Sequence, residues 1–198
     1  MNVLVVYCHP SKKSFTAKLK DAFLEGLEKA GHDYEISDLY DMNFDSTMSE
    51  SEYLFDSMES CVEERLCGDV AKEQVKIQGS DAVVFIFPVF WSASPAMLVG
   101  WFQRVMTKDF AYGENPKIPS LDKAACLVSL AEDMETAQGK AHIEAMKATM
   151  LGSKIFVNAK ESQIDVFDKL SADLSSAEDR EKLMDEYLKK AFELGASF

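Results

Sequence analysis

The chain has 198 residues, 47% hydrophobic and 28% charged, with only 9 Gly and 5 Pro. This composition excludes disordered, collagen-like and low-complexity classes and suits one globular domain over 1–198. Its 34 acids against 21 bases leave a formal net charge of −13, a surface that repels phosphate backbones and anionic lipid, so neither nucleic acid nor membrane is an expected partner. The charge is uneven: residues 41–64 hold eight acids and no base, residues 161–190 hold nine acids and five bases, and the rest is close to neutral.

The first residues, Asn2-Val3-Leu4-Val5-Val6-Tyr7, form a β-branched apolar run that reads as a buried parallel strand, with no secretory signature ahead of it. After the loop Cys8-His9-Pro10-Ser11-Lys12-Lys13, Ser14 opens a helical pattern. In it Phe15, Leu19, Ala22, Phe23, Leu27 and Ala30 recur at spacings of three and four, and Gly31 ends it. Residues 34–40 alternate polar and apolar as a second strand nearer the sheet edge. Residues 41–60 are acidic, rich in Ser and Met and without sustained period, an excursion before a helix over 62–78. The most apolar strand, 82–87, stops at Pro88, and Pro95 starts a helix running to about 107. A fourth strand over 124–130, a helix over 137–150, a fifth strand over 154–157 and a polar helix over 177–194 complete the chain. Strands alternating with helices predict a five-stranded parallel sheet covered on both faces. The longest apolar run, 82–93, is broken by Pro88 and Ser92 and is too short to span a bilayer, so a cytoplasmic protein is expected. Cys8, Cys61, Cys67 and Cys126 show no CxxC and no metal-ligand spacing, and read as reduced thiols.

In a doubly wound sheet, ligands bind beyond the carboxyl ends of the strands. Three segments meet that description: 8–16, 88–94 and 129–135. In the first, Ser14 or Thr16 can cap a helix whose free N–H groups and positive end suit an anion, although Ser14 as a plain cap accounts for the pattern equally well. In the second, Phe90 and Trp91 place flat apolar surface on a loop, to serve a planar ring, the core or a subunit contact.

Several blocks together resemble the NAD(P)H:quinone oxidoreductase family of flavodoxin-like proteins. They are His9-Pro10 with Ser14-Phe15, then Asp38-Leu39-Tyr40-Asp41-Met42-Asn43-Phe44, then the run from Phe87 through Pro95 to Val105, and Phe110-Ala111-Tyr112-Gly113. The match keeps order and spacing to about residue 113. It implies a flavodoxin-like α/β/α sandwich with strand order 2-1-3-4-5, a homodimer, and one flavin per subunit, FAD with FMN as the alternative. NAD(P)H is the implied co-substrate and a quinone the acceptor, hydride passing from nicotinamide to flavin N5 and on to the quinone. On this resemblance His9, Ser14, Phe15 and Thr16 fall at the phosphate-binding positions. Pro88, Val89, Phe90, Trp91 and Ser92 line the isoalloxazine, with Phe90 and Trp91 as platform and Tyr112 as lid or partner contact. Two other classes share the fold, an ancillary subunit of a potassium efflux system and a one-electron carrier. The carrier is disfavoured because 9–13 lacks a Ser/Thr-rich phosphate loop.

After strand four the family commonly carries Thr-Thr-Gly-Gly against the flavin, where this chain has Leu130-Ala131-Glu132-Asp133. Two carboxylates in place of glycines either turn outward or weaken the fit. The family's Tyr and His that follow have no clean counterparts: His142 is out of register and reads as an ordinary surface histidine, and no catalytic acid is assigned. The charge of 41–64 reads as a solvated face, and Cys8 as a small buried hydrophobe.

Overall fold

The computed structural model describes residues 1–57, 68–91, 93–151 and 154–198. Five parallel strands form one sheet in the order β2-β1-β3-β4-β5: β1 Asn2–Tyr7, β2 Asp33–Asp38, β3 Ala82–Pro88, β4 Leu121–Ser129 and β5 Ala159–Phe167. The helices are α1 Phe15–Ala30, α2 Glu50–Ser57, α3 Gly68–Gln78, α4 Ala96–Val105, α5 Ala137–Leu151, α6 Lys154–Val157 and α7 Ala177–Ala196. The order agrees with that implied by the family resemblance.

Alternation along the inner strands builds two cores. Leu4, Val6, Val83, Phe85 and Phe87 face one side, where they meet Ile77 of α3, Leu98, Trp101 and Val105 of α4, and Ile143 and Met146 of α5. Val3, Val5, Tyr7, Val84 and Ile86 face the other, against Leu19, Phe23 and Leu27 of α1 and Ala191 of α7. α1 and α7 touch backbone to backbone: a Cβ at Gly26 would strike the Phe192 carbonyl, and one at Gly195 the Phe23 carbonyl.

One strand differs from the sequence reading. Residues 154–157 form α6, and Ile155 and Phe156 enter the core from that helix. β5 lies just beyond it, and its exposed Lys160, Glu161 and Ser162 conceal the packing supplied by Ile164, Val166 and Phe167. A short apolar run does not by itself distinguish a strand from a buried helical turn. The excursion also holds a helix, α2, opened by a capping box. Ser49 Oγ accepts from the Glu52 N–H at 3.2 Å, and the Glu52 carboxylate accepts from the Ser49 N–H at 2.8 Å. The part of the expected 62–78 helix that precedes Gly68 lies outside the described residues.

The excursion is tied down by Arg104 of α4, which is 4% exposed. Its guanidinium donates to Glu52 Oε1 at 2.7 Å, to both Asp69 oxygens at 2.6 and 3.1 Å and to the Asp45 carbonyl, and it lies over the Phe44 ring. This corrects the solvated-face reading for Glu52, a carboxylate within 41–64 that turns inward. Burial pushes Glu52 and Asp69 upward, but the Arg104 bonds outweigh it and leave both carboxyls below their ordinary values. Carboxyls depressed in the folded state contribute stability above their unfolded values and lose it as pH falls through the folded ones. Arg104→Ala, which leaves two carboxylates facing each other, is expected to cost roughly 3 kcal/mol in urea unfolding. It should also flatten the fall in stability between about pH 5 and about pH 3; a variant with the wild-type slope would contradict this assignment.

Candidate functional site

The carboxyl ends of β1, β3 and β4 lie side by side, with Tyr7 paired to Ile86 and Pro88 to Ser129. The loops that leave them bring the three predicted segments to one edge of the sheet. In the first loop, the Ser11 N–H donates to His9 Nδ1 at 2.9 Å, and Ser14 caps α1 by accepting from the Ala17 N–H at 3.0 Å. The first turn of α1 contains no acid, so none of its own side chains sets a negative charge beside its free N–H groups. Burial holds His9 below its ordinary value. Because Nδ1 accepts the Ser11 N–H, the neutral ring carries its proton on Nε2. The edge therefore fits a phosphate-bearing group: an unopposed helix start with a neutral imidazole beside it.

Thr16, at a phosphate-binding position on the resemblance, also makes a contact inside the protein. Its hydroxyl is 2.7 Å from the Ser129 hydroxyl, and both residues are buried. The Ser129 carbonyl accepts from the Val89 N–H at 2.8 Å. Ser129, where the third predicted segment begins, thus joins the α1 loop to the β3 loop.

The β3 loop is a tight hairpin in which Phe90 and Ala93 exchange N–H to carbonyl bonds at 2.9 and 3.2 Å. Trp91 sits at its tip with φ +58°, a left-handed conformation unusual for a bulky residue, and its side chain is 96% exposed. Phe90 is 43% exposed, and its ring centroid lies 6.1 Å from that of His9. Pro88 is buried as the last residue of β3, Val89 is half-buried, and Ser92 lies outside the described residues. Tyr112, 37% exposed, stands on the segment between α4 and β4, where its carbonyl accepts from the Asp109 N–H.

In the third segment Leu130 is buried and Ala131 exposed, while Glu132 and Asp133 are half-buried. Glu132 Oε2 lies 3.0 Å from His142 Nδ1 of α5, and Asp133 Oδ1 lies 3.5 Å from Lys169 Nζ. His142, 18% exposed at its side chain, is therefore a partner of this loop rather than the ordinary surface histidine expected. Spacing carried no sign of that pair, because the contact depends on how the loop folds back onto α5. There Gly139 allows the Asp133 carbonyl to approach where a Cβ would block it. Cys8 is fully buried, and burial pushes its thiol up to about 12, so it stays protonated. A separate groove of about 770 Å³ lies between β2 and α3, lined by Tyr34, Val75 and Gly79 among others, and contains none of the candidate residues.

A family model described as a flavodoxin-like fold matches residues 1–191. The solved NAD(P)H:quinone oxidoreductase from Methanothermobacter marburgensis is 36% identical, with a TM-score of 0.86 over 100% of this chain and 95% of that one. Two curated relatives match a little over half of this chain. Ribosyldihydronicotinamide dehydrogenase [quinone] of Mus musculus is 36% identical over 56% of this chain and 53% of its own length. NAD(P)H dehydrogenase [quinone] 1 of Rattus norvegicus is 37% identical over 55% and 44%. The chain spans about half the length of the curated relatives it matches. It belongs to the flavodoxin-like NAD(P)H:quinone oxidoreductase family.

Two outcomes follow for the edge. In nitrogen-resolved NMR, His9 is expected to titrate below 6.5 with Nε2 protonated when neutral; a midpoint at or above 6.5 would count against the geometry. Thr16→Val and Ser129→Ala each strand a buried hydroxyl at a cost of about 1–3 kcal/mol, and the double variant should cost less than the sum of the two. Strict additivity in urea unfolding would sever the link.

Proposed function

We propose that the chain is a flavin-dependent NAD(P)H:quinone oxidoreductase that works as a homodimer. The observation that carries this reading is the meeting, at Ser129, of an acid-free helix start with an exposed aromatic hairpin, in a chain of this family. His9, Ser14 and the first-turn N–H groups at Phe15 and Thr16 hold the flavin's phosphate end. The segment from Pro88 through Val89, Phe90 and Trp91 to Ser92 lines the ring system, and 130–133 closes its other edge. When bound, the flavin supplies the two-electron chemistry, accepting a hydride from the nicotinamide and passing it to a quinone.

The protein's share is position and surroundings. Phe90 offers a flat apolar wall beside the neutral His9 ring. Trp91 exposes almost its whole indole, an apolar face that a second copy of the chain covers, and Tyr112 contributes from the neighbouring segment. Among the described residues no helix is long and apolar enough to cross a membrane. The free, protonated Cys8 suits a cytoplasmic setting, which this reading takes as the protein's location.

Anaerobic NADH or NADPH is expected to bleach the flavin absorbance of the purified protein, and menadione to restore it; an oxidised spectrum that never changes would defeat the proposal. Heat release and mass spectrometry of the cofactor then distinguish FAD from FMN. Sedimentation should give twice the 22.1 kDa chain mass, and Trp91→Ala should shift the population toward monomer.

A further inference from the structure

We propose that Asp168 is a positioning residue of the carboxyl-edge site, acting through the loop 130–134 without touching the ligand. Where the family places paired glycines, this loop carries Glu132 and Asp133, so its shape is imposed from outside. The chain leaving β5 does this. The Leu130 N–H donates to the Phe167 carbonyl at 2.9 Å, and the N–H groups of Leu170, Ser171 and Lys169 donate to the carbonyls of Leu130, Ala131 and Glu132 at 3.3, 3.0 and 2.8 Å. Three successive loop carbonyls are thereby held by one neighbouring segment, and Lys169 adopts a left-handed φ of +58° within it.

Asp168 fixes the far end of the loop. It is 7% exposed, and its two oxygens have separate duties: Oδ2 accepts from the Met134 N–H at 3.0 Å and Oδ1 from the Tyr187 hydroxyl of α7 at 2.7 Å. Tyr187 in turn stands edge-on to Phe167, with centroids 5.3 Å apart, and 6.4 Å from the ring of Phe15 at the start of α1. One buried carboxylate therefore connects α7, which packs on the phosphate-side helix, to the loop on the opposite side of the site. A carboxylate suits this place because it accepts twice and donates nothing, whereas an amide keeps a single acceptor oxygen and loses the charge that strengthens both bonds.

The test uses Asp168→Asn and Tyr187→Phe, the second keeping the ring packing if the first fails to fold. In flavin-free protein, hydrogen exchange at 130–136 should rise at least about fivefold in both variants, with β1, β3 and α1 unchanged. Unchanged exchange, or exchange that rises everywhere, would overturn the proposal. The second measurement rests on the flavin reading. Dissociation constants for riboflavin, FMN and FAD should each rise by about tenfold, because on the flavin reading the loop borders the ring system that all three share. Loss confined to FMN and FAD would overturn a role through this loop, as would faster loop exchange with unaltered flavin affinity. A wild-type protein that binds none of the three would defeat the flavin reading, while hydrogen exchange would still decide whether Asp168 sets the loop.

Discussion

A serine hydroxyl on the last residue of β4 and a threonine hydroxyl in the first turn of α1 meet at 2.7 Å inside the protein. The carbonyl of the same serine holds the first residue beyond β3. Parallel strands alone fix the ends of β1, β3 and β4 but leave the chain free once it departs from the ladder. Ser129 extends that order by one layer. A buried hydroxyl pair is costly to leave half made, so the start of α1 and the aromatic hairpin share one position instead of wandering separately. The Ser14 cap and the Ser11 bond to His9 are local, and the Thr16–Ser129 pair sets them beside the hairpin that carries Phe90.

Much of this architecture was legible in the residues. Continuous apolar runs at 3–7 and 82–87 mark inner strands, the three- and four-residue spacing of Leu19, Phe23 and Leu27 marks α1, and Gly31 ends it with φ +75°. Where reading failed, exposure was the cause. β5 lies at the edge of the sheet and shows solvent a polar face, so its residues resemble a loop, while the more apolar 154–157 beside it drew the assignment. At the site, the motif residues of the first two loops were visible because their chemistry is local. The Thr16–Ser129 pair, Asp168 and the Glu132–His142 contact were not, since each acts across ten or more residues through partners that only the folded chain brings near. A sequence-local signal for α2 did exist, in the Ser49 and Glu52 capping box.

Partition of the −13 charge proves uneven in kind as well as in place. Glu52 and Asp69 surround Arg104, the fully buried Glu73 accepts from Trp101 Nε1 and Lys76, and Asp168 joins α7 to the β4 loop. These acids are parts of the framework. Each has its oxygens assigned to donors, and they do little to colour the field that an approaching anion meets. The acid-free first turn of α1 is consequently less hostile to phosphate than the overall composition suggests.

The backbone contact of α1 with α7 through Gly26 and Gly195 bears on how the molecule comes into being. In sequence α7 follows α1 only after every other strand of the sheet, so the part of α1 at Gly26 meets this partner only once that intervening chain has been made. Contacts so distant in sequence close late and leave apolar surface open in the meantime. A nascent chain that has not yet reached α7 thus carries α1 without the helix that packs against its backbone.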